Sequence, residues 1–452
     1  MAFKVRASKY RHVFANEPNK GFWDGVRLTK SAWDSNWGSA TNKWLCMAWD
    51  TAGGGAVGVL DAKHPGKLEP TQVPLITGHK GAVLDLEFDP FSDSLLATCS
   101  EDCTAKIWNI PAEGFKGHMT EPVQTLKGHK RKVGNVKYNP VTQNVLATAA
   151  QDYEVVIWDV ENGAQKYKTE GHTAIIQSLD WNYNGSLLVS NAKDKSARIV
   201  DPRQTKVVHT VESHVGVKGG RALWLGKHDL FLTVGFGKNA MREFKIFDLK
   251  NMSQEVTVQQ LDNSAGIIMP FYDEDSDLLW LAGKGDGAIR YYEIVPEETG
   301  NKIVEPITAF KSNDPTAAAC ALPRRYCDVN VNEILRIYKI TKNTVKPLQF
   351  QVPRKSDLFQ DDLFPPARGD EPAITKDQWF NGENATPKLI SLEGGFSSSA
   401  KAAPSFQKVD TTEKELSPAE LKKENETLQK RVAYLEAELA KRDAEIAKLQ
   451  GK

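Results

Sequence analysis

The stretch "GHKGAVLDLEFDP" at residues 78–90 decides the fold, because the chain repeats it. It returns as "GHKRKVGNVKYNP" at 128–140 and, more loosely, as "GHTAIIQSLDWNY" at 171–183. The histidines of these copies and of a fourth lie at positions 79, 129, 172 and 214, so their spacings are 50, 43 and 42 residues. A period of this length indicates that one supersecondary unit is repeated along the chain.

Three residues accompany the histidine of each of the first two copies at the same spacing. An aspartate in a predicted hairpin turn follows the histidine by 23 residues, a threonine stands four residues before that aspartate, and a tryptophan stands six residues after it. This pattern resembles the WD-repeat family, whose blades are four-stranded antiparallel sheets arranged as a β-propeller. The resemblance implies two hydrogen-bonded tetrads, which are His79, Thr98, Asp102 and Trp108, and His129, Thr148, Asp152 and Trp158.

We interpret the tetrads as structural. Buried polar side chains need partners, and a chain of donors and acceptors supplies them. A histidine, a carboxylate and a hydroxyl also resemble a hydrolase triad, but this set recurs at blade spacing, with a tryptophan where the reaction needs an oxyanion hole. We therefore expect no catalytic residue, no metal site and no cofactor.

Further copies bring the predicted number of blades to seven. The third keeps His172, Ser190 and Asp194 but has Val200 in the tryptophan position, and the fourth, around His214, lacks a matching aspartate. Residues 22–73, 267–294 and about 307–350 are predicted to form three more blades. A ring of sheets must close or leave an exposed edge, so residues 9–15 are expected to pair with the last blade. The sequence predicts an all-β, seven-bladed propeller over residues 1–350.

Four longer motifs depart from the general repeat. They are "SKYRHVF" at 8–14, "DKSARIVDPR" at 194–203, "MPFYDEDSDLLWLAGKGDGAIRYYEI" at 269–294 and "VPRKSDLFQDDLFPP" at 352–366. Together they resemble the coronin family of actin-binding proteins. The resemblance implies a non-enzymatic protein that binds and cross-links F-actin in the cytoplasm, at the actin cytoskeleton and the cell cortex. It also implies contact with the branched-actin nucleating complex and with cofilin, and an extension over residues 351–396 that packs on the propeller.

The C-terminal residues change in character. Residues 397–417 are small, polar and interrupted by proline, which predicts a flexible linker. Residues 418–452 carry apolar side chains in two heptad rows over about four heptads, which predicts a coiled coil. The residues expected to form its interface are Leu421, Leu428, Arg431, Val432, Leu435, Glu436, Leu439, Ile446 and Leu449. A single helix docked on its own propeller is the alternative.

The number of chains in the coil is predicted from its charged positions. Arg431 precedes Val432, and Glu436 follows Leu435, a pattern similar to the trimerisation signature of short coiled coils. In that signature, the arginine covers the core and pairs with the glutamate of a neighbouring chain. Asn425 in the core favours a dimer instead. We expect a homotrimer, with a dimer as the alternative.

Two basic stretches are candidates for actin contact. The segment "WDGVRLTKSAWDS" at 23–35 resembles the coronin segment with an actin-contacting arginine, which matches Arg27, and Lys30 lies beside it. A second cluster contacts acidic actin or is a solvated loop. Its residues are Lys127, Lys130, Arg131, Lys132 and Lys137.

Composition excludes several classes of protein. Lys plus Arg and Asp plus Glu both number 58, so no global charge favours nucleic acid. The five cysteines are scattered without a CxxC pair, which argues against a zinc site or a disulfide framework. No apolar run is long enough to cross a membrane. The alternative function is a propeller adaptor that binds peptides in signalling or ubiquitin ligation.

Overall fold

Seven antiparallel sheets form the blades of a β-propeller in the computed structural model, which describes residues 8–397 except 19, 70, 217 and 299. The predicted linker from residue 398 onward and the predicted coiled coil, including all nine interface residues, lie outside the described residues. Among the described helices, none is long and apolar enough to cross a membrane.

The first three blades follow two short N-terminal strands, β1 (Phe14–Asn16) and β2 (Trp23–Asp24). Blade 1 contains β3 (Gly38–Ala40), β4 (Trp44–Trp49), β5 (Ala56–Asp61) and β6 (Leu75–Ile76). Blade 2 contains β7 (Val83–Phe88), β8 (Leu95–Ser100), β9 (Thr104–Asn109) and, after β10 (His118–Met119), β11 (Gln124–Lys127). Blade 3 contains β12 (Val133–Tyr138), β13 (Val145–Ala150), β14 (Val155–Asp159) and β15 (Ala164–Thr169).

The remaining four blades repeat this order. Blade 4 contains β16 (Ile176–Trp181), β17 (Leu188–Ala192), β18 (Ser196–Asp201) and β19 (Lys206–Glu212). Blade 5 contains β20 (Arg221–Trp224), β21 (Leu230–Phe236), β22 (Arg242–Asp248) and β23 (Thr257–Asp262). Blade 6 contains β24 (Ile268–Asp273), β25 (Leu278–Gly283), β26 (Ala288–Ile294) and β27 (Val304–Lys311). Blade 7 contains β28 (Ala318–Leu322), β29 (Glu333–Ile340) and β30 (Thr344–Gln351).

Short elements complete the described chain. The extension has β31 (Ala367–Arg368), α1 (Lys376–Phe380) and β32 (Leu389–Ile390). The 3₁₀ turns are Lys238–Ala240, Gly300–Ile303, Arg324–Tyr326, Val329–Val331 and Glu393–Gly395.

Burial follows the position of each strand within its blade. Every residue of β4, β13 and β21 is buried, because a second strand is covered on both faces by the neighbouring blades. Outer strands such as β15 and β19 leave most residues exposed or half-buried. Apolar β-branched residues therefore fill the middle strands, while charged residues concentrate at the rim.

The ring closes through blade 7, which takes both N-terminal strands. Phe14–Asn16 pairs with the C-terminal part of β30, and Trp23–Asp24 pairs with its start. The predicted pairing of residues 9–15 with the last blade is confirmed only at its end, from Phe14 onward. Two predicted blade boundaries are wrong. Blade 1 begins at Gly38, because Trp23–Asp24 belongs to blade 7, and Val304–Lys311 forms the outer strand of blade 6.

Blade 1 also receives a strand from blade 2. The β10 strand pairs in parallel with β6, which places His118 opposite Leu75 and Met119 opposite Ile76. The long spacing of 50 residues between the first two histidines is explained by the segment that carries β10, since blade 2 itself needs only the usual four strands.

The extension crosses the underside of the propeller and returns. Leu363 and Phe364 join the core of blades 6 and 7, and Trp379 of α1 is fully buried against Trp181 of blade 4. The chain then comes back, β32 pairs with β31, and Leu392 packs in the same core as Leu363. The two faces of the propeller are therefore different, and we call this one the extension face.

Arg368 fixes the middle of this path at the mouth of the central channel. Its guanidinium pairs with Glu274 of blade 6 and donates to the carbonyls of Pro140 and Tyr183, at 3.2 and 3.3 Å, from blades 3 and 4. The arginine of the "RGD" triplet at 368–370 is thus held by three blades.

Candidate functional site

The structure brings both predicted tetrads together. In blade 2, His79 Nδ1 lies 2.8 Å from Asp102 Oδ2 and Nε2 lies 2.8 Å from Thr98 Oγ1, which is also 2.8 Å from Trp108 Nε1. In blade 3 the corresponding distances are 3.1, 2.7 and 2.8 Å, for the set His129, Asp152, Thr148 and Trp158.

Proton positions in the tetrads follow from their partners. The carboxylate can only accept, so histidine Nδ1 carries the proton, and Nε2 accepts from the threonine hydroxyl, whose oxygen accepts from the indole N–H. Burial lowers the pKa of His79, which keeps the ring neutral. Burial alone would raise the pKa of Asp102, but hydrogen bonds from His79 and Thr104 lower it. Every polar atom of the tetrad is thus paired, as a structural role requires.

The third copy has only part of this network. His172 Nε2 lies 2.8 Å from Ser190 Oγ, while Asp194 turns away to Arg198, at 2.7 Å. His172 Nδ1 is buried without a hydrogen-bond partner. Burial and the nearby Arg198 charge lower the pKa of His172 to about 4.

The fourth copy has a network that the sequence analysis missed. His214 Nε2 lies 3.0 Å from Thr233 Oγ1, and Nδ1 lies 3.0 Å from Glu243 Oε1, so a glutamate from β22 replaces the aspartate of the turn. The spacing was the signal, because Thr233 follows its histidine by 19 residues, as Thr98 and Thr148 do. We call the face that carries these histidine loops and aspartate turns the histidine face.

Exposed basic side chains are concentrated on three adjoining segments of the histidine face, at residues 25–37, 79–82 and 127–132. The one carboxylate in these segments, Asp34, is half-buried, whereas seven basic residues are exposed. We call this group the basic arc; it consists of Arg27, Lys30, Lys80, Lys127, Lys130, Arg131 and Lys132.

Turns of the first two blades hold these segments together. Lys30 Nζ bonds Asp50 at 2.6 Å, the Asp50 amide donates to the Arg27 carbonyl at 2.8 Å, and Lys132 Nζ bonds Glu101 at 2.6 Å. The blade 1 turn packs closely on residues 79–82, since a Cβ at Gly55 would lie 2.5 Å from the His79 carbonyl oxygen. Within 4 Å, the other five residues of the arc have no ion pair among the described residues, so their charges face solvent.

One residue of the predicted basic cluster does not belong to this surface. Lys137 lies in the central channel, 2.7 Å from Glu87 Oε1 and 3.7 Å from Asp180 Oδ1. Burial opposes its charge, but these carboxylates raise the pKa of Lys137. Placing Lys137 in a solvated cluster was therefore wrong, because β12 is an inner strand and directs this side chain into the channel.

A strap of residues 33–36 covers the channel mouth on the histidine face. Trp33 Nε1 donates to the Gly134 carbonyl at 2.8 Å, and Ser35 Oγ donates to Asp85 at 3.0 Å. Asp34 accepts from Arg221 at 2.7 Å and from Lys284 at 2.9 Å. These contacts reach blades 2, 3, 5 and 6, so the segment just after Arg27 and Lys30 is held rigidly.

One group of possible metal ligands is found among the described residues. The candidate ligand atoms of His129, Asp152 and Glu154 lie within 4.8 Å of one another. Asp152 already accepts from His129 and from the Lys130 amide, and Glu154 pairs with Lys168 at 2.7 Å. The candidate ligand atoms are therefore already engaged, in the tetrad and in a surface ion pair.

Seven blades with buried histidine tetrads define a WD-repeat propeller. The profile of the WD domain, G-beta repeat, matches residues 70–109, 120–159 and 163–201, and another type of WD40 repeat matches 345–387. A domain of unknown function matches residues 3–67.

The chain belongs to the coronin family. It is 48% identical over 450 residues to Coronin-A of Dictyostelium discoideum, covering 99% of this chain and 100% of the relative. It is 37% identical to Coronin-like protein crn1 of Schizosaccharomyces pombe, over 86% of this chain and 64% of that protein. The WD40 domain of Toxoplasma gondii coronin superposes with a TM-score of 0.79 at 32% identity, over 84% of this chain and 97% of the domain. A chain of the mitotic checkpoint complex, 14% identical with a TM-score of 0.53 over 78% of this chain and 99% of its own length, shares the fold alone.

Proposed function

We propose that this protein binds actin filaments through the basic arc of its histidine face and bundles them as an oligomer. It would act in the cytoplasm, at the actin cytoskeleton and the cell cortex, without enzymatic activity. Membership of the coronin family supports the choice of partner. The observation that carries the choice of surface is the set of five exposed, unpaired cations on a face held rigidly by the strap.

The charges of the arc suit weak and salt-sensitive binding. An exposed arginine can bond a carboxylate of the filament through two parallel N–H donors, which gives Arg27 directional contacts. Single exposed ion pairs contribute about 0–1 kcal/mol, and salt at about 0.15 M screens charges over about 8 Å. One propeller should therefore bind a filament feebly.

Oligomerisation would convert these weak sites into tight binding. A flexible linker of n residues spans about 5–6 Å × √n, and linking several sites can raise avidity by about 10²–10⁴ without a new contact. A trimer through residues 418–452, with a dimer as the alternative, would present the arc several times. Contacts with the branched-actin nucleating complex and with cofilin are further proposals from the family.

The strap across the channel mouth disfavours the adaptor alternative. Adaptor propellers that bind peptides over the channel mouth need that mouth to be accessible. Here the strap lies across it on the histidine face, and Arg368 lies at the mouth on the other face. The accessible charged surface lies instead at the rim, where an extended filament can reach it.

Co-sedimentation of the full-length chain with actin filaments tests the site. Arg27→Asp and the double change Lys130→Asp, Arg131→Asp should each weaken binding about fivefold or more at low salt, since the first reverses one exposed charge and the second reverses two. Lys206→Asp is the matched control, because this exposed lysine begins β19 at the opposite end of the blade. Unchanged pelleting of Arg27→Asp, at an unchanged melting temperature, would remove Arg27 from the site.

Bundling requires a separate comparison. A chain ending at Ser397 should keep its fold and weak filament binding but lose bundling. Replacing residues 418–452 with an unrelated trimeric coil should restore bundling if avidity alone is needed. Failure of the replacement would mean that the natural helix carries a binding surface of its own.

A further inference from the structure

A groove of about 640 Å³ lies on the outer flank of blade 1, beside Arg27 and Lys30. Its floor is apolar and includes Trp49, Val73 and Leu75, each less than a tenth exposed. The outer strand of this blade, β6, is only two residues long, and the groove lies beside it.

The far rim of the groove comes from blade 2. His118 is exposed, and its strand β10 pairs in parallel with β6, so His118 lies beside Leu75 in the sheet. The groove is thus lined on one side by Arg27 and Lys30 and on the other by His118. The inserted segment that carries β10 is absent from the later blades. It adds the polar side chain of His118 to the candidate actin-binding site around Arg27.

Basic side chains outnumber acidic ones in the groove. Its single carboxylate, Asp50, is bonded by Lys30 at 2.6 Å, which leaves Arg27 and His118 as donors without a carboxylate partner among the described residues. Donors on two rims above an apolar floor match a segment that carries carboxylates on either side of an apolar side chain. A purely ionic contact would not need the floor.

We infer that this groove receives an acidic segment of the actin filament that contains an apolar side chain, and that His118 contacts this segment together with Arg27. The inference rests on the proposed function and deepens it by naming the chemistry of the bound segment and a contact contributed by blade 2. The apolar side chain lies on Trp49 and Val73, while the carboxylates reach the two rims.

Filament binding by full-length variants tests this inference. His118→Asp should weaken binding about fivefold and His118→Ala about twofold, because each removes one exposed charged or polar contact. His64→Asp is the matched control, since His64 is also exposed on blade 1 but lies in a different cleft. In a double-mutant cycle, Arg27→Ala and His118→Ala together should lose less than the product of their separate effects, because both hold one segment.

The possible outcomes distinguish failure of this inference from failure of the proposed function. If Arg27→Asp weakens binding and His118→Asp does not, the groove is not the site, although the proposed function stands. If His118→Asp changes only the oligomeric state in analytical ultracentrifugation, the groove holds a second copy of this chain and the inference is wrong. If the wild-type chain does not pellet with filaments, the proposed function itself fails. Equal melting temperatures of the histidine variants and the wild-type chain show that loss of binding is local.

Discussion

Replacing Thr148 by valine should show how much one tetrad contributes to stability. The two side chains have nearly the same shape, so the change removes the hydroxyl and leaves the packing in place. That hydroxyl is fully buried and links His129 Nε2, at 2.7 Å, to Trp158 Nε1, at 2.8 Å. Thr148→Val therefore leaves one acceptor and one donor unpaired in the core.

The expected magnitude follows from counting these two groups. A buried polar group without a partner costs about 1–3 kcal/mol, so Thr148→Val should lower the free energy of unfolding by about 2–6 kcal/mol. Blade 4 provides the comparison, because Ser190 is also fully buried and bonds His172 at 2.8 Å and, more weakly, the Arg198 carbonyl at 3.4 Å, with no tryptophan in the set. Ser190→Ala leaves one group unpaired and should cost about 1–3 kcal/mol.

Denaturant unfolding of the full-length chain, followed by tryptophan fluorescence, measures both changes. Thr98→Val in blade 2 repeats the experiment in an independent tetrad and should match Thr148→Val. Thr210→Val, on the exposed outer strand β19, is the control and should change stability by less than about 0.5 kcal/mol. Equal costs for Thr148→Val and Ser190→Ala, or a cost for Thr148→Val below about 1 kcal/mol, would refute this reasoning.

Three further outcomes are expected. Trp379→Ala should lower the free energy of unfolding by about 3–5 kcal/mol, because this indole is buried and donates to the Gly185 carbonyl at 2.9 Å. Unchanged thermal unfolding and unchanged amide exchange in α1 would show that the extension is not anchored there. His172 has a pKa of about 4 in the fold against a usual 6.5, so the unfolded chain binds more protons between these values. The contribution of neutral His172 to the free energy of unfolding should therefore be fully present above pH 6.5 and fall by about 3 kcal/mol as the pH drops to 4. In His172→Gln, the free energy of unfolding should no longer show this part of its pH dependence. A peptide of residues 417–452 should be a trimer in sedimentation equilibrium and fall to a smaller species with Arg431→Ala or Glu436→Ala; a wild-type dimer would contradict the assignment.

The tetrads could be predicted because their members lie at constant distances along the chain. Glu243 could not, since it follows His214 by 29 residues and comes from a strand rather than a turn. Lys137 looked like part of a basic loop, and only the direction of an inner strand places it among channel carboxylates. Sequence position in these cases does not define which side of the sheet a residue faces.

Long-range contacts explain what else was missed. The shift of Trp23–Asp24 into blade 7 depends on a pairing with Val345 and Thr344, more than three hundred residues away in the chain. The groove on blade 1 needs His118, which is brought there by an insertion in blade 2. Neither arrangement leaves a periodic pattern, so spacing and hydrophobicity alone do not reveal it.

The returning path of the extension also determines how the propeller would carry mechanical load. In the bundling proposed above, the chain would be pulled at its filament-binding face and at its C-terminal end. Tension at residue 397 acts first on Asn330 of blade 7, which accepts from the Ser397 amide at 2.8 Å and donates to the Gly395 carbonyl at 3.2 Å. It acts next on Leu392 and on the β31–β32 pair, while Trp379 still anchors the far arm. Force would thus peel the extension step by step, whereas β30, which closes the ring, is held by β1 and β2 and bears load only after these contacts have given way.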